Sequence, residues 1–311
     1  MVPSYLALYE SGLLTERIEK ARTLLAPCTL CPRQCRVRRL DGELGVCKTG
    51  SRARVASYGP HFGEEAPLVG RFGSGTIFFT YCNLLCVFCQ NYDISHDEAG
   101  EEVSPHELAQ IMLGLQRGGC HNINFVTPTH VVPYILEALP FAIEQGLNIP
   151  LVYNSGGYDS VEALRLLEGI FDIYMPDLKF SKDIPALLYC KAPDYPTVVR
   201  MAIKEMHRQV GDLLLDSHGH AQRGLLVRHL VMPDDLAGTS EAMQFLATEI
   251  SNNTYVNIMD QYRPCGEDIN RFPELQRRIT PEEYWAAIEA AHAAGLYRLD
   301  DRQRTFLFSW R

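Results

Sequence analysis

The apolar positions of this chain change their rhythm near residue 75. From Gly75 onward, short β-rich apolar runs alternate with stretches whose apolar residues recur at helical spacing. The runs Thr76–Tyr81, Asn122–Thr127, Pro150–Tyr153, Phe171–Leu178, Gly224–Met232 and Tyr255–Met259 predict six strands. Strands alternating with helices imply a parallel sheet with helical crossovers. Six are too few for a closed eight-stranded barrel, so an incomplete, laterally open α/β barrel is expected. Two helix starts are strongly marked. Ser104-Pro105-His106-Glu107 and Thr280-Pro281-Glu282-Glu283 each set a hydroxyl at the cap, proline in the first turn and glutamate at the third position. Gly118 and Gly295 are the matching stops.

Before this pattern begins, a helical stretch from Glu16 to Leu25 leads into a cysteine-rich loop and then PHFGEEAPLVG. Its few large apolar groups make a poor core, so it should pack beside the barrel. The expected division is an N-terminal extension over 1–70, a barrel over 71–265 and a helical extension over 266–311.

Composition narrows the classes. The 311 residues are 46% hydrophobic, a globular proportion. No run approaches the ~18 apolar residues of a membrane span. The start MVPSYLALYESG lacks a basic segment and carries Glu10, unlike a secretion signal. A net charge of −9 argues against nucleic acid as a partner. Ten cysteines without an export signal point to metal ligation in a reducing cytoplasm rather than to disulfides.

Three of those cysteines, Cys82, Cys86 and Cys89, stand as Cys-x3-Cys-x2-Cys in the loop after the first strand. Three thiolates can hold three corners of a cubane iron–sulfur cluster and leave the fourth iron open for chemistry. A zinc site would want a fourth ligand, and the next Cys or His in sequence is His96. A second set, Cys28, Cys31, Cys35 and Cys47, supplies four thiolates, enough to saturate a zinc ion or a cluster. Its spacing does not choose between them. Arg33, Arg36, Arg38 and Arg39 lie among these cysteines and would offset the thiolate charge or meet an acidic partner.

The triplet, with Phe88 before its last cysteine and the string CVFCQNYDIS, resembles the signature of radical S-adenosylmethionine (SAM) enzymes, above all the pyruvate formate-lyase activating enzyme and its homologues. The resemblance implies a partial (β/α)6 TIM-type barrel and a [4Fe-4S] cluster whose open iron is chelated by SAM. It also implies reductive cleavage of SAM to methionine and a 5′-deoxyadenosyl radical that takes hydrogen from a substrate. A reductant such as flavodoxin or ferredoxin would supply the electron. Asp177 and Lys179, two apart at a strand end and so on one face, resemble the family's Asp-x-Lys pair. Lys179 would meet the SAM carboxylate, and Asp177 the ribose, a metal ion or another polar group. Arg228 resembles a fifth-strand arginine that reaches SAM, with His229 turned the other way into packing. Asn154 and Ser155 fall where the family has a cofactor-binding turn. The family's Gly-Gly-Glu turn is VTPTH here, leaving Thr127, Thr129 or a backbone carbonyl for the SAM amino group, and Tyr153 replaces a carboxylate.

Tyr262, near the position of an activating-enzyme histidine, is the first candidate for touching substrate. Gln261, Asp260 and Arg263 beside it, and Cys265 as hydrogen donor or further ligand, complete the set. Glu64 and Glu65 would reach the cofactor or be exposed, and His218-Gly219-His220 reads as a hairpin turn before a metal pair. The reading is a radical SAM enzyme acting on a small molecule or peptide. The alternatives are a glycyl-radical activase acting on a partner protein and a non-catalytic electron-transfer or metal-binding protein. An activase with extra clusters would carry a cysteine-rich insert after the triplet, where only Cys120 is found before the second strand.

Overall fold

The computed structural model describes residues 1–300; the end of the expected C-terminal extension, 301–311, lies outside them. In chain order the elements are α1 (Ser4–Glu10), α2 (Leu13–Thr23), β1 (Ala53–His61), α3 (Ala66–Val69), β2 (Ser74–Phe79), α4 (Tyr92–His96), β3 (Glu101–Val103) and α5 (Pro105–Arg117). Then come β4 (Ile123–Val126), α6 (Val132–Glu144), β5 (Leu151–Ser155), α7 (Val161–Leu166), β6 (Ile173–Pro176), α8 (Asp183–Cys190) and α9 (Tyr195–Val210). The chain continues with β7 (Leu214–Leu215), β8 (Ala221–Leu230), α10 (Thr239–Phe245), β9 (Tyr255–Met259) and α11 (Pro281–Ala294).

The strands β2, β4, β5, β6, β8 and β9 pair in that order, each parallel to the next. These are the six runs read from the sequence. Around this path the sheet curls without closing, an α/β barrel open on one side. Three further strands were not expected. β1 runs antiparallel to β2 and carries β3 beyond it, while β7 pairs antiparallel with the start of β8. The turn at His218–His220 is therefore the hairpin that its glycine suggested, with Gly219 at φ +83°.

Strand alternation sends one face inward. Val152, Ile173, Met175 and Leu226 fill the lumen, together with Leu68 from α3 and Leu213. The opposite faces, such as Ile77, Phe125, Tyr153 and Tyr174, meet the helices. Residues 1–70 lie against this body. Ser4 Oγ donates to Asp172 (2.7 Å), Tyr5 donates to the Ile149 carbonyl (3.0 Å) and Arg22 pairs with Glu137 (2.5 Å). Both marked helix starts form complete capping boxes, at Ser104/Glu107 and Thr280/Glu283. Among the described residues no helix is long and apolar enough to cross a membrane.

Candidate cluster and cofactor site

The C-terminal ends of the parallel strands open on a cavity of about 240 Å³. Cys82, Cys86 and Cys89 line one side, and Asn154, Ser155, Asp177, Lys179 and Arg228 line the other. Residues separated by up to 146 positions thus meet because each follows its strand to the same end of the barrel. The triplet loop is tightly turned: Tyr81 (φ +72°) and Leu85 (φ +54°), immediately before Cys82 and Cys86, adopt the left-handed conformation. Such non-glycine positions are held only where the surroundings impose them. Burial, joined by the neighbouring thiol of Cys86, pushes Cys82 up to about 12. Thiols of this kind are protonated until a metal displaces the proton.

Opposite, Asp177 joins two cations. Its carboxylate accepts from Arg228 Nε (2.8 Å) and Lys179 Nζ (2.5 Å), while Arg228 also donates to the Asn154 side chain (2.8 Å). Burial would raise the Asp177 carboxyl, but Arg228 and Lys179 outweigh it and hold the group below the usual carboxylate range. The strand end itself is pinned by Tyr195, which donates to the Asp177 carbonyl (2.8 Å) and accepts from Lys179 N–H (3.0 Å).

Other candidates are committed elsewhere. Ser155, on the cavity lining, donates its Oγ to Asp159 (2.6 Å), as do Thr129 (2.7 Å) and Tyr153 (2.8 Å) from behind the wall. Thr127, at φ +58°, remains on the lining. His229 spends both ring nitrogens on Leu178 and Thr239 and is packing. Gln261 lines the cavity. Tyr262 does not: it is buried and its hydroxyl donates to the Leu275 carbonyl (2.7 Å), because the chain after β9 turns its ring toward Phe88. Cys265 is likewise drawn behind the triplet, its thiol on the carbonyls of Phe88 (3.2 Å) and Cys89 (3.4 Å). Asp260, partly buried, is raised by desolvation, and Arg263 is exposed; neither lines the cavity. Glu64 and Glu65 are buried rather than exposed, and Asn257 donates to Glu65 (2.8 Å).

One contact had no sequence signal. Cys190, at the end of α8, sets its buried thiol 3.2 Å from the sulfur of Cys86. Only the fold brings these two together.

The second cysteine set also converges. Cys28, Cys31, Cys35 and Cys47 line one small enclosed cavity under the triplet loop. Here too left-handed residues flank the sulfurs: Gln34 (φ +41°) and Arg36 (φ +60°) on either side of Cys35, and Lys48 (φ +51°) after Cys47. Gly45 is needed for a different reason, since a Cβ there would meet the Cys35 side chain at 2.9 Å. Among the described residues no three Cys, His, Asp or Glu groups converge as they would on one metal ion. Cluster ligation asks less convergence, because each thiolate binds its own iron.

The donor set at the barrel mouth fits a cluster with SAM. It offers three thiols for iron, and two cations, an amide and backbone groups for a carboxylate, an amine and a ribose. Comparison with known proteins agrees. A family model described as the radical SAM superfamily matches residues 76–210. An uncharacterized protein of Methanocaldococcus jannaschii is 33% identical over 298 residues, covering 93% of this chain and 80% of that one. A second uncharacterized protein of the same organism is 24% identical over 223 residues, 61% of this chain and 65% of its own. The crystal structure of HydG, a maturase of the [FeFe]-hydrogenase, superposes with a TM-score of 0.50 at 14% identity. That match covers 71% of this chain and 49% of HydG, and it bears on the fold alone.

Proposed function

Because this chain belongs to the radical SAM superfamily, we propose that it is an enzyme that cleaves SAM reductively at Cys82, Cys86 and Cys89 and uses the product to abstract hydrogen from a small molecule or peptide. The cavity itself carries the reading, because it sets three thiols across from the Asp177–Lys179–Arg228 group. When bound, a [4Fe-4S] cluster and SAM supply electron transfer and carbon–sulfur cleavage to a 5′-deoxyadenosyl radical; the protein's part is to hold and orient them.

In this reading Lys179 and Arg228 receive the SAM carboxylate, exchanging part of their pairing with Asp177 for the ligand. Asn154 and the backbone at Thr127 serve the remaining polar edges. The apolar walls, including Phe78, Leu84, Leu230 and Met259, exclude water from the reacting end. Gln261 is the residue after β9 best placed to touch substrate.

The test is 5′-deoxyadenosine formation by anaerobically reconstituted protein given SAM and dithionite. Wild type should form it and Cys86→Ala should not. Protein with a filled cluster that neither forms the product nor binds SAM by calorimetry would overturn the reading.

A further inference from the structure

The two cysteine sets share a wall. The cavity lined by Cys28, Cys31, Cys35 and Cys47 is also lined by Asn83 and His130. His130 is 1% exposed, and its Nε2 lies 2.9 Å from the Thr80 carbonyl. A carbonyl only accepts, so Nε2 carries the ring proton and Nδ1 keeps a lone pair. That lone pair has no partner. Leaving a buried acceptor without a donor is costly. The four thiols gathered on this cavity point to an occupant, and His130 lines it from the barrel side.

Asn83 joins this cavity to the triplet. Its side chain lines the four-cysteine cavity and donates to the Tyr158 carbonyl (2.8 Å), while its own backbone follows Cys82 directly. Leu84, next in the chain, lines the SAM-side cavity and gives its N–H to the Cys82 sulfur (3.3 Å). Arg33 locks the two loops together. Its guanidinium donates to the carbonyls of Asn83 (2.9 Å), Leu84 (3.2 Å), Cys190 (2.8 Å) and Lys191 (2.5 Å).

Resting on the radical SAM reading of the triplet, we propose that the four-cysteine cavity, with His130 on its barrel side, holds a second iron–sulfur cluster that passes electrons through Asn83 to the cluster on Cys82, Cys86 and Cys89. One electron enters from a low-potential donor, a reduced flavin or iron–sulfur protein, and leaves for the triplet's cluster. No bond is made or broken, and the second cluster returns to its starting state. The Val46 N–H, which donates to the Cys35 sulfur (3.4 Å), is a group of the kind that tunes such a centre. A zinc ion would satisfy the thiolates but is redox-inert, which leaves the single-residue link to the triplet without a role.

Elemental analysis of the anaerobically purified full chain should give about eight irons and no zinc, two cubanes' worth. Cys28→Ser/Cys31→Ser should keep about four irons and an electron paramagnetic resonance signal that changes when SAM is added. It should lose the fast phase of reduction by photoreduced flavodoxin in stopped flow. Asn83→Ala should keep the wild-type iron content and lose the same phase. Stoichiometric zinc in wild type would overturn the proposal, as would fast reduction of the triplet's cluster in Asn83→Ala. Should the double variant fail to fold, the metal content of wild type and the Asn83→Ala rate still decide. A wild-type signal unmoved by SAM would instead strike the radical SAM reading.

Discussion

Asp177 holds two cations at the mouth of the barrel, both hydrogen-bonded to its carboxylate. Truncating one partner of a buried ionic group strands the others, at a cost of about 3 kcal/mol. Asp177→Asn should lower the unfolding free energy by that amount, read from the urea midpoint at unchanged slope. A loss below about 1 kcal/mol, the range of exposed pairs, would mean that water carries the charge of Lys179 and Arg228. Glu65 makes a second residue-scale prediction. Burial raises its carboxyl to about 7, with Arg228 opposing and Glu64 assisting. A carboxyl raised in the folded state binds its proton more tightly there than in the unfolded chain. Its stabilisation is complete below the ordinary value of 4.5 and is lost as pH rises through 7. Glu65→Gln should remove that slope and recover about 3 kcal/mol at pH 8; parallel pH profiles for both proteins would refute it. Asp177 and Lys179 were legible in the sequence because strand spacing puts them on one face, and Arg228 was legible through its resemblance to the family's fifth-strand arginine. Cys190 beside Cys86, and Glu65 beside Asn257, were not, since partners 104 and 192 positions apart meet only through the fold.

Among the elements, α5 returns the chain from the triplet loop to β4, and its start is fixed by the reciprocal Ser104–Glu107 box. Removing the cap hydroxyl costs about 1 kcal/mol, so Ser104→Ala should lower the thermal midpoint modestly without changing iron content. A loss of cluster iron in that variant would show that α5 sets the triplet loop's geometry as well as its own end. The six parallel strands could be read because strands buried on both faces are continuous apolar runs. β1 could not. Its burial alternates only over Ala53–Val55 before a register shift, and its outer half is largely exposed. β3, at three residues, is below what any pattern resolves. Tyr262 failed as a cavity residue for a related reason: position after β9 is legible, but the direction of a ring in an irregular segment is set by what packs on it.

At the scale of the whole molecule, residues 1–70 are held to the barrel by three kinds of bond at once. β1 covers the β2 edge through backbone pairing, Leu68 fills the lumen, and Arg33 caps four carbonyls around the triplet and α8. Each would leave a separate defect behind if the segment were removed: an unpaired strand edge, a cavity of the kind that costs 2–5 kcal/mol per buried leucine lost, and carbonyls without donors. Together these are comparable to the whole stability of a domain, roughly 5–15 kcal/mol. The full chain should therefore unfold in a single transition, with circular dichroism and intrinsic fluorescence coincident along the urea axis. A chain beginning at Arg71 should show no cooperative transition. Leu68→Ala, which leaves the other two attachments intact, should lower the midpoint of that one transition without splitting it. Two separated transitions in the full chain, or a cooperatively folded chain from Arg71, would mean that the extension is an independent unit and that the barrel supports its own lumen.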